Sequence, residues 1–191
     1  MERIRVTGTS CSGKTTLSRA IARRLGLPVV ELDALFWGQG WTPVPAELFR
    51  SRVAEAVAGD RWVLDGGYSS VRDLTWSRAD TIVWLDYPMR TVLNRWARRT
   101  LRRLRTREEF WPNTGNRERL GHLVRRDGLL WWILSTHRRR RRTMSAELAA
   151  YPALRTVRLR SPEEAERWLL ALQPQASASA TTGEMASAQN P

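Results

Sequence analysis

Lysine is almost missing from this chain. Of its 32 Lys and Arg residues one is a lysine, Lys14. Arginine everywhere else fits the coding bias of a GC-rich genome, which lowers the weight of the net charge of +13 as a nucleic-acid signal. It raises the weight of Lys14, because a compact ammonium and a planar guanidinium differ where phosphate oxygens must be gripped. Cysteine is as scarce. Cys11 has no second cysteine to pair with, which excludes an internal disulfide and fits a reducing cytoplasm. His122 and His137 are too isolated to suggest a metal site. No apolar run approaches the roughly 20 residues of a membrane helix. The opening MERIRVTGTS has no secretory apolar stretch and reads as a first strand. A cytoplasmic protein without a membrane partner is expected.

The excess of positive charge lies in one region. Residues 90–142 hold 17 arginines against Glu108, Glu109, Glu118 and Asp127, and the rest of the 191 residues balances to zero. The excess charge belongs to one segment of a chain long enough for one domain with a substantial core.

Hydrophobic patterning gives alternating elements. IRVT (4–7) reads as a buried strand, and Leu17, Ala20, Ile21 and Leu25 have helical spacing up to a stop at Gly26. Strands are expected over 28–32 (ending at Asp33), 61–65, 81–88 and 154–160. Helices are expected over about 46–58 and 89–105, and around Leu129 to Arg142. A loop with Gly38, Gly40, Pro43 and Pro45 should follow Asp33, and residues 106–118 should form a mobile loop. Ser161 and Glu164 form a capping box with Pro162 between them. From Gln173 the Ala/Ser-rich tail has little to bury and should be disordered. The domain is expected over 1–172, with a basic segment at about 95–142 and the tail at 173–191. Such alternation implies a mostly parallel sheet with helices on both faces, and ligands at the carboxyl ends of its strands.

The motifs fall at those ends. GTSCSGKT, Gly8 to Thr15, satisfies G-x-x-x-x-G-K-[ST] between a strand and a helix. The backbone N–H groups from Thr9, Ser10, Cys11, Ser12 and Gly13 to Lys14 can surround phosphates at a helix N-terminus, which Thr16 continues. Lys14 would reach the outer phosphates and Thr15 would ligate Mg2+. Asp65, at the end of WVLD, can assist the metal, or be satisfied by turn N–H groups. Gly66 and Gly67 permit either close approach of a substrate or a tight turn. Asp33 could orient or deprotonate an acceptor hydroxyl, or cap a loop. Arg95 and Arg99, four apart on one helix face, offer positive charge over a transferred group, with Arg98, Arg102 and Arg103 nearby. One or two of Arg138–Arg142 are expected to be functional and the others solvated. Trp37 and Trp41 could stack on an acceptor, or be packing residues. Asp86, before Tyr87-Pro88, reads as a turn former.

VTGTSCSGKTTLSRAIARRLGLPVVELDALFW, WVLDGGYS, IVWLDYP and RWARRTLRR together resemble the adenylate-kinase-like P-loop kinases. More narrowly, they resemble the small proteins described as DNA topology modulation proteins, over roughly residues 3–172. The resemblance implies an α/β P-loop NTPase sandwich: a five-stranded, mostly parallel sheet with helices on both faces and an Arg-rich helical lid. It implies ATP and Mg2+, phosphate roles for Gly13, Lys14 and Thr15, and a metal-side role for Asp65. It also implies a lid opened by Arg95 and Arg99, with Arg160 and Ser161 near the adenine. Adenylate kinases carry Gly-Phe-Pro-Arg after the third strand. Here Gly66 is followed by Gly67-Tyr68-Ser69, more similar to shikimate- and gluconate-type kinases, which phosphorylate a hydroxyl. The expected function is ATP-dependent phosphorylation of an unidentified small hydroxyl compound by a monomer or homodimer. The alternatives are a nucleoside monophosphate kinase and an ATPase that grips nucleic acid through residues 90–142.

Overall fold

A computed structural model describes residues 1–106, 109, 114–116 and 128–173. Strand β1 (Arg3–Gly8) runs into the glycine-rich loop, and α1 (Lys14–Leu25) leaves it. Then follow β2 (Val29–Glu31), α2 (Leu32–Phe36), α3 (Ala46–Ala56), β3 (Trp62–Asp65), α4 (Arg72–Trp76) and β4 (Thr81–Leu85). The long α5 (Met89–Thr106) and α6 (Leu129–Ala149) precede β5 (Arg155–Leu159) and α7 (Pro162–Ala171). The five strands form one sheet in the order β2-β3-β1-β4-β5, and every pairing is parallel.

Alternate strand residues point to opposite faces, and both faces are covered. Ile4, Val6 and Val63 join a core with Leu17 and Ile21 of α1, Val92 of α5, Ile133 of α6 and Ala165 of α7. Trp62 and Leu64 face the other way, into a core with Leu32, Phe49, Val53 and Val71. Burying one aliphatic side chain contributes about 1.5–3 kcal/mol. The core contacts of its neighbours therefore hold β2 in place, although it is only three residues long. Arg5 and Thr7 lie on the second face, between the apolar positions of β1, and both are buried.

Much of the expected order is present. Helix α1 ends at a left-handed Gly26, and Ser161 caps α7 by accepting the Glu164 N–H at 3.2 Å. Glu164 reaches back to the Arg160 N–H at 2.6 Å, one residue earlier than a capping box requires. The second strand, in contrast, stops at Glu31. Leu32, fully buried, turns the chain inward, and the Trp37 N–H closes a helical turn on the Asp33 carbonyl at 3.0 Å. Asp33 thus lies in the first turn of a helix where a loop was expected. The fourth strand ends at Leu85, three residues short of Pro88. Asp86 is no turn former: its N–H still pairs with the Leu159 carbonyl at 2.8 Å, and its side chain is buried.

The described part of the expected mobile loop is docked. Asn116 accepts the Trp41 N–H at 2.7 Å and donates to the Gly38 carbonyl at 3.0 Å. The remaining residues of that loop, His122 and the expected disordered tail from Pro174 lie outside the described residues.

Candidate active site

The glycine-rich loop owes its shape to backbone that a side chain would obstruct. Gly8 has φ of 154°, and a Cβ there would stand 2.8 Å from the Leu85 carbonyl oxygen. Cys11 adopts φ of 65°, in the left-handed region, and the Ser12 N–H closes on the Thr9 carbonyl at 3.1 Å. Gly13 caps α1, which has no side-chain cap and no acid in its first turn. The first N–H groups of α1 are therefore not taken by a side-chain cap, a setting that favours an anion. Lys14 Nζ arches back to the Thr9 carbonyl at 3.2 Å. Ser10 is half-buried beside these residues, and Thr16 is exposed on α1.

Parallel pairing of β1 with β3 sets Val6 beside Asp65 and brings the acid to the same sheet edge as the loop. The Thr15 hydroxyl donates to Asp65 Oδ2 at 2.5 Å. Asp65 Oδ1 is buried and has no partner among the described residues. Burial pushes the Asp65 carboxyl above its ordinary value, opposed by the charge of Lys14 and the Thr15 hydrogen bond. An acid held this way gains by meeting a cation. The described residues offer no cluster of three or more His, Cys, Asp or Glu for a metal. A hydroxyl, one carboxylate and a helix N-terminus without a side-chain cap suit Mg2+ that arrives with a nucleotide, so the residues present fit that ion.

Asp33 stands exposed near this corner, and its Oδ1 accepts the Tyr68 hydroxyl at 2.7 Å. Burial and the Asp33 charge push the Tyr68 phenol up, so it remains a donor at neutral pH. Between Asp65 and Tyr68 lies the glycine pair. Gly66 has φ of 133° and packs on Leu32, where a Cβ would come within 2.8 Å of that side chain. Trp37 meets Trp41 edge-to-face at 5.7 Å and Phe36 at 4.9 Å, so this aromatic group is packed on itself.

Arg95 reaches the loop from α5. Its Nη1 donates to the Ser12 carbonyl at 2.6 Å, its guanidinium lies 5.2 Å from the centre of the Tyr87 ring, and a Cβ on Gly13 would collide with it. Arg99 is half-buried one turn further along. Arg160, exposed after β5, is tied to Glu164 through its backbone. Of the five consecutive arginines on α6, Arg140 and Arg141 turn inward. Arg140 donates to the Gly67 carbonyl at 3.0 Å. Arg141 and Arg158 both grip Asp86, at distances from 2.5 to 3.0 Å.

Sequence reading gave His137 no role. Its Nδ1 lies 3.2 Å from the Thr9 hydroxyl of the loop, and burial holds its pKa below the ordinary value. Its one available signal was position: four residues before Arg141, on the same helix face. Arg5 was missed too. A charge inside the central strand IRVT was the sign of it.

No protein-family model matches the chain, and no curated protein sequence matches it. Solved structures do. A shikimate kinase from Bacteroides thetaiotaomicron is similar at a TM-score of 0.53 and 19% identity, over 88% of this chain and 94% of that one. A shikimate kinase from Aquifex aeolicus is similar at 0.50 and 17%, covering 88% and 94%. A gluconokinase from Sinorhizobium meliloti is similar at 0.50 and 21%, covering 88% and 91%. The likeness is one of fold. The chain has the P-loop kinase fold, with its all-parallel five-stranded sheet. Within that fold, no helix of the described residues is long and apolar enough to cross a membrane.

Proposed function

We propose that the protein transfers the terminal phosphoryl group of ATP to a hydroxyl of a small molecule. The observation that carries this reading is the Thr15–Asp65 hydrogen bond beside Lys14, with the second Asp65 oxygen unpartnered among the described residues. The similarity in fold to kinases of shikimate and gluconate supports it.

The loop N–H groups and Lys14 would hold the phosphates. Thr15 and Asp65 would hold Mg2+, which when bound neutralises charge on the phosphate oxygens. Asp33, fixed by Tyr68, would orient the acceptor hydroxyl and take its proton as the new O–P bond forms and ADP leaves. Gly66 and Gly67 would bring their backbone close to that acceptor, and Trp37 would flank it. Arg95 and Arg99 would add positive charge over the transferred group, Arg95 by turning from the Ser12 carbonyl. Arg160 would lie near the adenine. Positioning and charge are sufficient for this chemistry without a covalent enzyme intermediate.

In LDALFW and LDGGYS the chain further resembles the DNA topology modulation proteins. Residues 1–172 form the domain in this reading, with residues 95–142 as its lid and 173–191 as a tail.

The test is ADP release from Mg·ATP by wild type and Lys14→Ala, across pools of sugars, shikimate-like acids, nucleotides and nucleic acid. One small hydroxyl-bearing pool should stimulate turnover, and Lys14→Ala should lower it about 100-fold or more. Stimulation by nucleotides alone would make the protein a nucleotide kinase. Stimulation by DNA or RNA alone would overturn the small-molecule reading.

A further inference from the structure

A cavity of about 290 Å3 opens on the sheet face that carries Arg5 and Thr7, between α4 and α6. Arg5, Arg72, Arg139 and Arg140 line it, and Glu147 is the only acid among its described lining residues. That acid is already engaged by Arg72 at 2.8 Å. Arg140 is committed to the Gly67 carbonyl and lies 4.8 Å from the centre of the Trp132 ring.

Arg5 is the unusual member. It is 2% exposed and donates through Nη1 to the Thr75 hydroxyl. Its Nε has no partner among the described residues. Burial and the neighbouring charge of Arg72 lower its pKa to about 9, so it is still charged at neutral pH. A buried cation whose direct partners are neutral is costly unless an anion completes it. Four cations against one anion leave the lining strongly positive.

We infer that this cavity binds a small molecule through a carboxylate or phosphate group, with Arg5 at its base and the exposed Arg139 at its mouth. The volume is at the small end of ligand pockets, roughly 300 Å3 and upward, so it suits a compact anion rather than a nucleotide. Gly67 and Tyr68 line the cavity, and Tyr68 also donates to Asp33, so the bound anion would lie near the proposed acceptor. The inference does not need phosphoryl transfer and is tested without turnover.

Malonate and inorganic phosphate are titrated separately, by calorimetry, into the full chain and its variants. At least one probe should bind saturably, and the binding should persist in Lys14→Ala, which weakens the nucleotide loop as a competing phosphate site. Arg139→Ala, at an exposed position, should weaken it about tenfold. Arg5→Gln should weaken it at least as much, with a melting curve confirming its fold. Glu147→Gln should tighten it several-fold, an effect of charge that a purely structural role would not produce. Malonate alone identifies a carboxylate ligand and phosphate alone a phosphorylated one, and either supports the proposal. It is overturned if neither probe binds, or if binding is lost in Lys14→Ala. Indifference to Arg139→Ala, or failure of Glu147→Gln to tighten binding, overturns it equally.

Discussion

Replacing Asp86 by asparagine tests how α6 is held over the glycine-rich loop. The Asp86 side chain is fully buried, whereas those of Arg141 and Arg158 are 42% and 39% exposed. Arg141 donates to both carboxylate oxygens, and Arg158 donates twice to Oδ2. An amide in this place could accept at one oxygen only and would turn an NH2 group toward a guanidinium. Breaking a buried ion pair costs about 3–5 kcal/mol when the remaining charge stays buried. Here both guanidinium groups can reach water, and the desolvation cost of the carboxylate disappears. The expected loss is therefore about 2–3 kcal/mol. For a domain of this size that lowers the melting midpoint by about 4–12 °C. Urea titration at neutral pH measures it without adding salt that would screen the pair. Because His137 shares the helix with Arg141 and contacts Thr9, affinity for an ATP analogue should fall as well. A loss below about 0.5 kcal/mol, in the range of exposed pairs, would refute the reasoning and leave packing as the anchor of α6.

Asp65→Asn should abolish Mg2+-dependent turnover yet raise the melting midpoint of the nucleotide-free protein at pH 7. Burial lifts the folded pKa above the unfolded 3.8, so the folded state binds more protons between those values and loses stability as pH rises through them. The gain should vanish below the unfolded pKa, and a lower midpoint at pH 7 would contradict it. Gly8→Ala places a Cβ against the Leu85 carbonyl and should displace the loop, lowering turnover about 100-fold; wild-type ADP release would count against the loop geometry. His137 has a folded pKa below the unfolded 6.5, so the unfolded state binds the extra proton and stability falls as pH drops from about 6.5 through the folded value. Melting curves of His137→Gln should lose that dependence, and an unchanged slope would assign it to other groups.

The arginine-rich segment bears on the choice between a lid and a nucleic-acid surface. Part of its charge faces inward: Arg95 meets the loop, Arg140 meets Gly67, and Arg141 meets Asp86. Arg138, Arg139 and Arg142 are exposed on α6. Among the described residues these inward guanidinium groups are engaged within the protein, and Arg138, Arg139 and Arg142 face solvent.

The glycine-rich loop, the parallel sheet and the capped last helix were legible in the sequence. Glycine positions, strand alternation and a Ser-to-Glu spacing act through neighbouring backbone, so a short window contains their cause. Asp33 departed from expectation because the strand stopped at Glu31 and the chain, with Leu32 buried, wound into a helix in place of the expected loop. The seating of His137 on Thr9, 128 residues apart, was decided by tertiary structure, as were the clamp on Asp86 and the cavity around Arg5. Each depends on which face of α6 meets the sheet. That choice is made by the sum of many packing contacts and by the need to pair buried charge, neither of which a local stretch of sequence contains.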